Sequence, residues 1–70
     1  MYKALITRQN ADGTFDEVGM SNRTVRKVRS YQKACEAAKA FAKGHGWRVE
    51  CFPMDRFYGP PYKVFTWIAT

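Results

Sequence analysis

The segment YQKACEAAKAFAK most constrains the fold, because it has the composition and spacing of an α-helix in a chain otherwise rich in strand-forming residues. Ser30 precedes it and can accept a backbone hydrogen bond, while Gly44 follows it where helices often end. We predict a helix over residues 31–43. One face of this helix carries small and aromatic residues: Tyr31, Ala34, Cys35, Ala38, Phe41 and Ala42. Because alanines dominate that face, the helix can lie close against a sheet, and we expect Phe41 to be among its most buried side chains.

The segments on either side of the helix have the residues and alternation typical of β-strands. YKALITRQ is followed by NADG, whose Asn, Asp and Gly favour a tight turn, and this pair predicts a hairpin. The return segment TFDEVGMSNRTVRKV contains Gly19, so we expect a strand with a bulge or break near GMSN. WRVECF alternates before Pro53. After the loop PMDRFYGPP, YKVFTWIAT has the composition of a closing strand.

The order of these elements is β-β-α-β-β, which predicts an α+β fold. In this fold a single helix packs on one face of a four-stranded antiparallel sheet. We expect residues 1–70 to form a single small basic domain. A chain of this length buries only about 60% of the surface that its unfolded form exposes, so the core is thin.

Strand alternation divides the side chains between the helix face and the open face of the sheet. We expect the helix face to carry Tyr2, Ala4, Ile6, Trp47, Val49, Cys51, Tyr62, Val64 and Ile68. We expect the open face to carry Lys3, Leu5, Thr7, Arg48, Glu50, Phe52, Lys63, Phe65 and Trp67. On the open face, the rings of Phe52, Phe65 and Trp67 would lie beside the cations Arg48 and Lys63. Such a surface suits nucleic-acid bases that stack on rings while cations hold the phosphates.

The rings of the open face could also be covered by protein, in either of two ways. The loop residues Met54, Phe57 and Tyr58 could cover Phe65 and Trp67 and form a second, minor core. Alternatively, two copies of the domain could bury the rings in a homodimer, since a two-fold interface needs one self-complementary apolar patch.

The chain is basic, with 12 Lys and Arg against 6 Asp and Glu, a net charge of +6. The segment NRTVRKVRS places Arg23, Arg26, Lys27 and Arg29 close together. In a strand, Arg23, Lys27 and Arg29 lie on one side and Arg26 on the other. We interpret this segment as a docking ridge for negative charge, either the phosphates of a nucleic acid or an acidic protein surface. The alternative is an edge strand whose charges prevent aggregation.

The sequence offers little chemistry for catalysis or metal binding. The phosphate-loop, nucleophile-elbow and dinucleotide-binding motifs are absent. Cys35, Cys51 and His45 lack the spacing of a zinc site, and we interpret the cysteines as reduced thiols, with a single bridge between them as the alternative. We expect no catalytic residues, no metal and no cofactor. Because no apolar run is long enough for a signal peptide or a membrane span, we expect a cytoplasmic protein without membrane contact.

The leading hypothesis is a small non-catalytic module that binds nucleic acid, single-stranded or duplex, through a basic ridge and an aromatic sheet face. The alternative is a small virus-type accessory protein that binds and inhibits a host protein. The two differ in their contact chemistry. Nucleic-acid binding depends on Arg and Lys and falls steeply with salt, whereas a protein interface concentrates its energy in a few buried anchors.

Overall fold

The computed structural model describes residues 1–16, 22–55 and 59–69, and it contains the predicted α+β architecture. Four strands and one helix follow one another as β1 (Tyr2–Arg8), β2 (Arg23–Val28), α1 (Tyr31–Ala42), β3 (Trp47–Pro53) and β4 (Lys63–Trp67). The predicted order β-β-α-β-β is confirmed.

The sheet has the strand order β2-β1-β3-β4, and every neighbouring pair is antiparallel. β1 therefore lies between β2 and β3, which run parallel to each other. The chain crosses from β2 to β3 through α1, as expected for parallel strands that cannot be joined by a tight hairpin. β2 and β4 are the edge strands, so the basic segment and the closing strand lie at opposite edges.

The helix begins and ends where local capping chemistry places it. At its start the Lys33 backbone N–H donates to the Ser30 hydroxyl oxygen at 3.3 Å. At its end Lys43 adopts a left-handed conformation, with φ 35°, and its N–H donates to the Lys39 carbonyl at 3.2 Å. The prediction of a helix is confirmed, one residue shorter than expected. No helix in the described part of the chain is long and apolar enough to cross a membrane.

The core lies between α1 and the centre of the sheet. The helix buries Ala34, Ala38 and Ala42. The largest fully buried side chains are Ile6, Val49, Thr7 and Cys51. Phe41 is only half-buried, and its ring centroid lies 5.7 Å from the Arg8 guanidinium carbon. The expectation that Phe41 is among the most buried side chains was wrong. Because the alanines bring the helix close to the sheet, the large ring lies at the side of the contact rather than within it.

The connection between β1 and β2 begins with the predicted tight turn. Gly13, with φ 89°, donates its N–H to the Asn10 carbonyl at 3.0 Å. Residues 14–16 are irregular, however, and β2 starts only at Arg23. The expected strand over the whole return segment was therefore wrong in its first part. The predicted bulge or break near GMSN lies almost entirely outside the described residues.

The pairing of β3 with β4 reverses the predicted faces of β4. Trp67 lies opposite Trp47, Phe65 opposite Val49, and Lys63 opposite Cys51. Directly paired residues share a face, so Lys63, Phe65 and Trp67 lie on the helix face. Val64 and Thr66 lie on the open face. The assignment of Lys63, Phe65 and Trp67 to the open face was wrong, because a shift of one residue exchanges the two faces of a strand and both faces of β4 carry apolar residues.

We predict that Ile6→Ala destabilises the fold more than Phe41→Ala. Ile6 is fully buried, so its truncation removes a complete set of core contacts and costs about 2 to 5 kcal/mol. Phe41 is half-buried, so we expect a cost below about 3 kcal/mol. Urea unfolding of the two variants measures both values. A larger loss for Phe41→Ala would contradict this arrangement of the core.

Gly46 provides a second test of the packing, at the start of β3. A Cβ atom there would lie 2.6 Å from the Gln9 side-chain oxygen and 2.8 Å from the Trp67 carbonyl oxygen. We predict that Gly46→Ala lowers the unfolding free energy by about 1 to 3 kcal/mol. In a Gln9→Ala background the cost should shrink without vanishing, because the backbone oxygen of Trp67 remains. Thermal unfolding of the unmodified protein, the two single variants and the double variant gives the comparison. An undiminished cost in that background would show that Gln9 has no part in it.

Candidate functional site

The exposed cations of the NRTVRKVRS segment lie at the β2 edge of the sheet. Arg26, Lys27 and Arg29 are all exposed. Within the described ranges none of the three takes part in an ion pair. We call these three residues the basic edge. Lys27 lies on the open face and Arg26 on the helix face, as the alternation of the sequence predicts.

Arg23 differs from the basic edge although it belongs to the same sequence segment. Its side chain is half-buried at the start of β2, and its guanidinium donates a hydrogen bond to the Asp16 carbonyl. Nearby, the Arg8 guanidinium donates to the Asn22 side-chain oxygen at 2.9 Å. Arg23 therefore links the β1–β2 connection to the sheet through this hydrogen bond.

The β1–β2 connection also covers one end of the open face. The Arg48 guanidinium carbon lies 5.6 Å from the ring centroid of Phe15, and Arg48 Nε lies 3.5 Å from Glu50 Oε1. Thr7, which lies opposite Arg48 on this face, is fully buried. The Arg48 side chain thus contacts the Phe15 ring and the Glu50 carboxylate and is not free in solvent. Of the loop residues that were predicted to cover Phe65 and Trp67, Phe57 and Tyr58 lie outside the described residues.

The predicted open face with three rings is not present. Phe52 lies on the open face, but it is only 5% exposed. Phe65 and Trp67 lie on the other face of the sheet. The open face instead exposes Val25 and Val64. The prediction of one aromatic surface formed by Phe52, Phe65 and Trp67 was therefore wrong, because the register of β4 with β3 turns the last two rings toward the helix side.

A different aromatic surface forms on the helix face of β4. α1 packs mainly on β1, β2 and β3, so β4 extends beyond the helix. Along this strand Trp67 remains 47% exposed, Phe65 is half-buried and Lys63 is exposed. Tyr62, just before the strand, is 67% exposed. We call Tyr62, Lys63, Phe65 and Trp67 the aromatic shelf.

Three tyrosines join the aromatic shelf to the helix. The ring centroids of Tyr2 and Tyr31 lie 5.0 Å apart, and that of Tyr62 lies 6.0 Å from Tyr31 and 6.2 Å from Tyr2. Lys63 Nζ lies 4.9 Å from the Tyr31 centroid and 5.5 Å from that of Phe65, within the range of cation–π attraction. The ammonium group is therefore held in place by rings.

The sequence analysis placed Tyr2, Tyr31 and Tyr62 in the core, and it did not predict that their rings contact one another. Each of these residues stands at or beside the beginning of an element, β1, α1 or β4. That shared position was a usable signal, because the beginnings of β1 and β4 meet at the end of the sheet where α1 starts. The missing information was the strand order, which brings β1 within one strand of β4.

The aromatic shelf carries one positive charge and uncharged rings. The Tyr31 hydroxyl is buried, and among the described residues it has no hydrogen-bond partner. Its burial raises the pKa of Tyr31, and the neighbouring Tyr2 and Tyr62 add to the effect. A tyrosine is already neutral at physiological pH, and the raised pKa keeps Tyr31 in that form, so Lys63 is the charged group of the surface.

The cysteines form no metal cluster in the described ranges, where no group of three His, Cys, Asp or Glu side chains comes together. Cys35 is half-buried and Cys51 is buried, and both are free thiols. Burial raises the pKa of both thiols, which favours the protonated, unreactive form.

Comparison of the chain with protein-family models, with curated proteins and with solved structures gave no match. The basic edge and the aromatic shelf are therefore the features from which a function can be argued.

We predict that Arg23 and Arg26 respond differently to the same substitution. Arg23→Ala removes a charged donor from a half-buried contact, and we expect it to lower the unfolding free energy by about 1 to 3 kcal/mol. Arg26→Ala changes an exposed side chain in the same strand, and we expect a change within about 0.5 kcal/mol. Chemical denaturation compares the two directly. Equal effects would mean that Arg23 has no special part in the fold.

Proposed function

We propose that this chain is a small non-catalytic module that binds nucleic acid, and that the basic edge holds the phosphate backbone. The observation that carries the proposal is the exposure of Arg26, Lys27 and Arg29 along one short edge segment, where the described residues offer none of them an ion pair. Exposed, clustered cations are the electrostatic footprint of a protein that binds a polyanion.

The cations of the basic edge are close together in the chain. Arg26 and Lys27 belong to β2, and Arg29 directly follows its last residue, Val28. Lys3 lies directly opposite Lys27 on β1 and brings a further positive charge to the same face.

The same charges could instead serve only to protect an exposed strand edge. β2 is an edge strand, and charged side chains on an edge discourage pairing with another chain. Edge protection requires charge at the edge but no affinity for a ligand. Binding measurements therefore separate edge protection from anion binding.

We predict that Arg26→Gln combined with Lys27→Gln weakens binding to labelled oligonucleotides and leaves the melting temperature nearly unchanged. Each lost phosphate contact should reduce the dependence of log affinity on log salt by about 0.7 to 0.9, so the slope should fall by between about 1 and 2. Fluorescence anisotropy over a salt series measures the affinity and the slope together.

The matched control is Lys33→Gln combined with Lys43→Gln, which removes the same net charge from α1 and its C-terminal cap. Lys33 pairs with Glu36 at 3.3 Å, so this surface is partly neutralised already. We expect the control to change affinity less than the edge variant. Equal losses would show binding through net charge alone.

Two outcomes would count against the proposal. If the unmodified protein binds neither single-stranded nor duplex oligonucleotides at low salt, the proposal fails. Binding to an acidic polypeptide, with polyglutamate as the probe, would then favour the acidic protein partner. If polyglutamate and oligonucleotides bind equally and both lose affinity in the edge variant, the basic edge is a general anion surface.

A further inference from the structure

The basic edge and the aromatic shelf are connected at one end of the sheet. Val28, Tyr2 and Pro53 lie side by side in the register of β2, β1 and β3. Arg29 directly follows Val28, and Tyr31 begins α1 two residues later. From Tyr31 the rings of Tyr2 and Tyr62 lead on to β4. Arg29, the three tyrosine rings and Lys63 therefore follow one another around this end of the sheet.

The separation of the two edge strands is within reach of a short oligonucleotide. β2 and β4 are separated by three strand spacings, which amount to about 14 Å. A single strand advancing about 3.4 Å per nucleotide along its axis covers this in a few nucleotides. One ligand could therefore contact Arg29 at one edge and Lys63 at the other.

The chemistry of the aromatic shelf is that of a surface for stacking bases. Tyr62 and Trp67 are its exposed rings, and Lys63 supplies its one formal charge. Lys63 is already held on the rings of Tyr31 and Phe65, so its ammonium group is oriented before a ligand arrives. Proteins that bind single strands combine stacking rings with neighbouring cations in this way.

We infer that the aromatic shelf binds unpaired bases and that the chain therefore prefers single-stranded over duplex nucleic acid. In a duplex the bases stack on one another and offer no free face to protein rings, so the shelf adds affinity only for a single strand. Lys63 holds a phosphate beside the stacked bases. This inference rests on the proposed function, since the basic edge supplies the contacts common to both kinds of ligand.

Charge favours a nucleic acid over a second copy of the chain as the occupant of the shelf. β4 is an edge strand with exposed apolar residues, and two copies could in principle meet there. Each copy carries a net charge of +6, so association of two copies brings like charges together. A polyanion reduces this charge instead.

The test compares Tyr62→Leu combined with Trp67→Leu against the unmodified protein. Leucine preserves apolar surface but removes the flat ring. We expect affinity for a labelled oligothymidine to fall about tenfold or more, as the loss of stacking on two rings predicts, and affinity for a hairpin duplex to change less than about twofold. Fluorescence anisotropy gives both affinities, and circular dichroism checks the fold.

Two matched variants control for structure. Val64→Ala changes a residue of β4 that is 49% exposed on the opposite face, and we expect both affinities to stay within about twofold. Tyr62→Phe combined with Trp67→Phe keeps flat rings and should retain most of the single-strand affinity. If this conservative variant loses as much as the leucine variant, stacking is not the cause and the inference is overturned.

The remaining outcomes separate the inference from the proposal on which it rests. If the unmodified protein binds both ligands equally, or if the leucine variant weakens both equally, the preference for single strands is overturned while the basic edge stands. If the unmodified protein binds neither ligand, the proposed function itself fails.

A separate experiment tests whether a second copy of the chain covers the shelf. The solvent access of Trp67 is measured by acrylamide quenching in a Trp47→Phe background. Protection of Trp67 that grows with protein concentration, with a doubled mass in light scattering, would assign the shelf to a homodimer and overturn the inference.

Discussion

The close contact between α1 and the centre of the sheet determines which surfaces the rest of the protein exposes. Ala34, Ala38 and Ala42 bring the helix backbone near the sheet, so one short helix seals the region over Ile6 and Val49. The same closeness limits the width that the helix covers. β4 extends beyond it, and large rings that a broader layer would bury remain at the surface. A thin core is thus the physical origin of the aromatic shelf, in keeping with the limited burial available to a short chain.

Local signals in the sequence were sufficient for the elements but not for the relation between distant ones. Ser30 marked the start of the helix, the turn at Gly13 was visible in NADG, and alternation separated Lys27 from Arg26. Each of these depends on residues that are neighbours in the chain. The faces of β4 depend on its register with β3 across a nine-residue loop, and a shift of one residue reverses them. Because Val64 and Phe65 are both apolar, composition could not choose between the two registers.

The basic segment shows a different limit of sequence reasoning. Four cations close together in the chain looked equivalent, yet Arg23 is fastened to the β1–β2 connection while Arg26, Lys27 and Arg29 face solvent. The distinction depends on Asp16, whose carbonyl is brought to Arg23 only when the connection folds back over the sheet. Likewise, the meeting of Tyr2, Tyr31 and Tyr62 depends on strand order. The sequence was sufficient to predict the residue types of the candidate site. It was not sufficient to predict which of these residues share a surface.

The two edge strands of the sheet differ in the side chains that they expose. β2 carries clustered positive charge, which discourages pairing with another edge of the same kind. β4 carries rings and a single cation, so its backbone edge is less well guarded and its side chains present apolar surface. Large exposed apolar patches often mark interaction sites, and a positive net charge favours association with polyanions. The ligand that we propose, a strand with unpaired nucleotides, is both anionic and aromatic and so would match the chemistry of both edges.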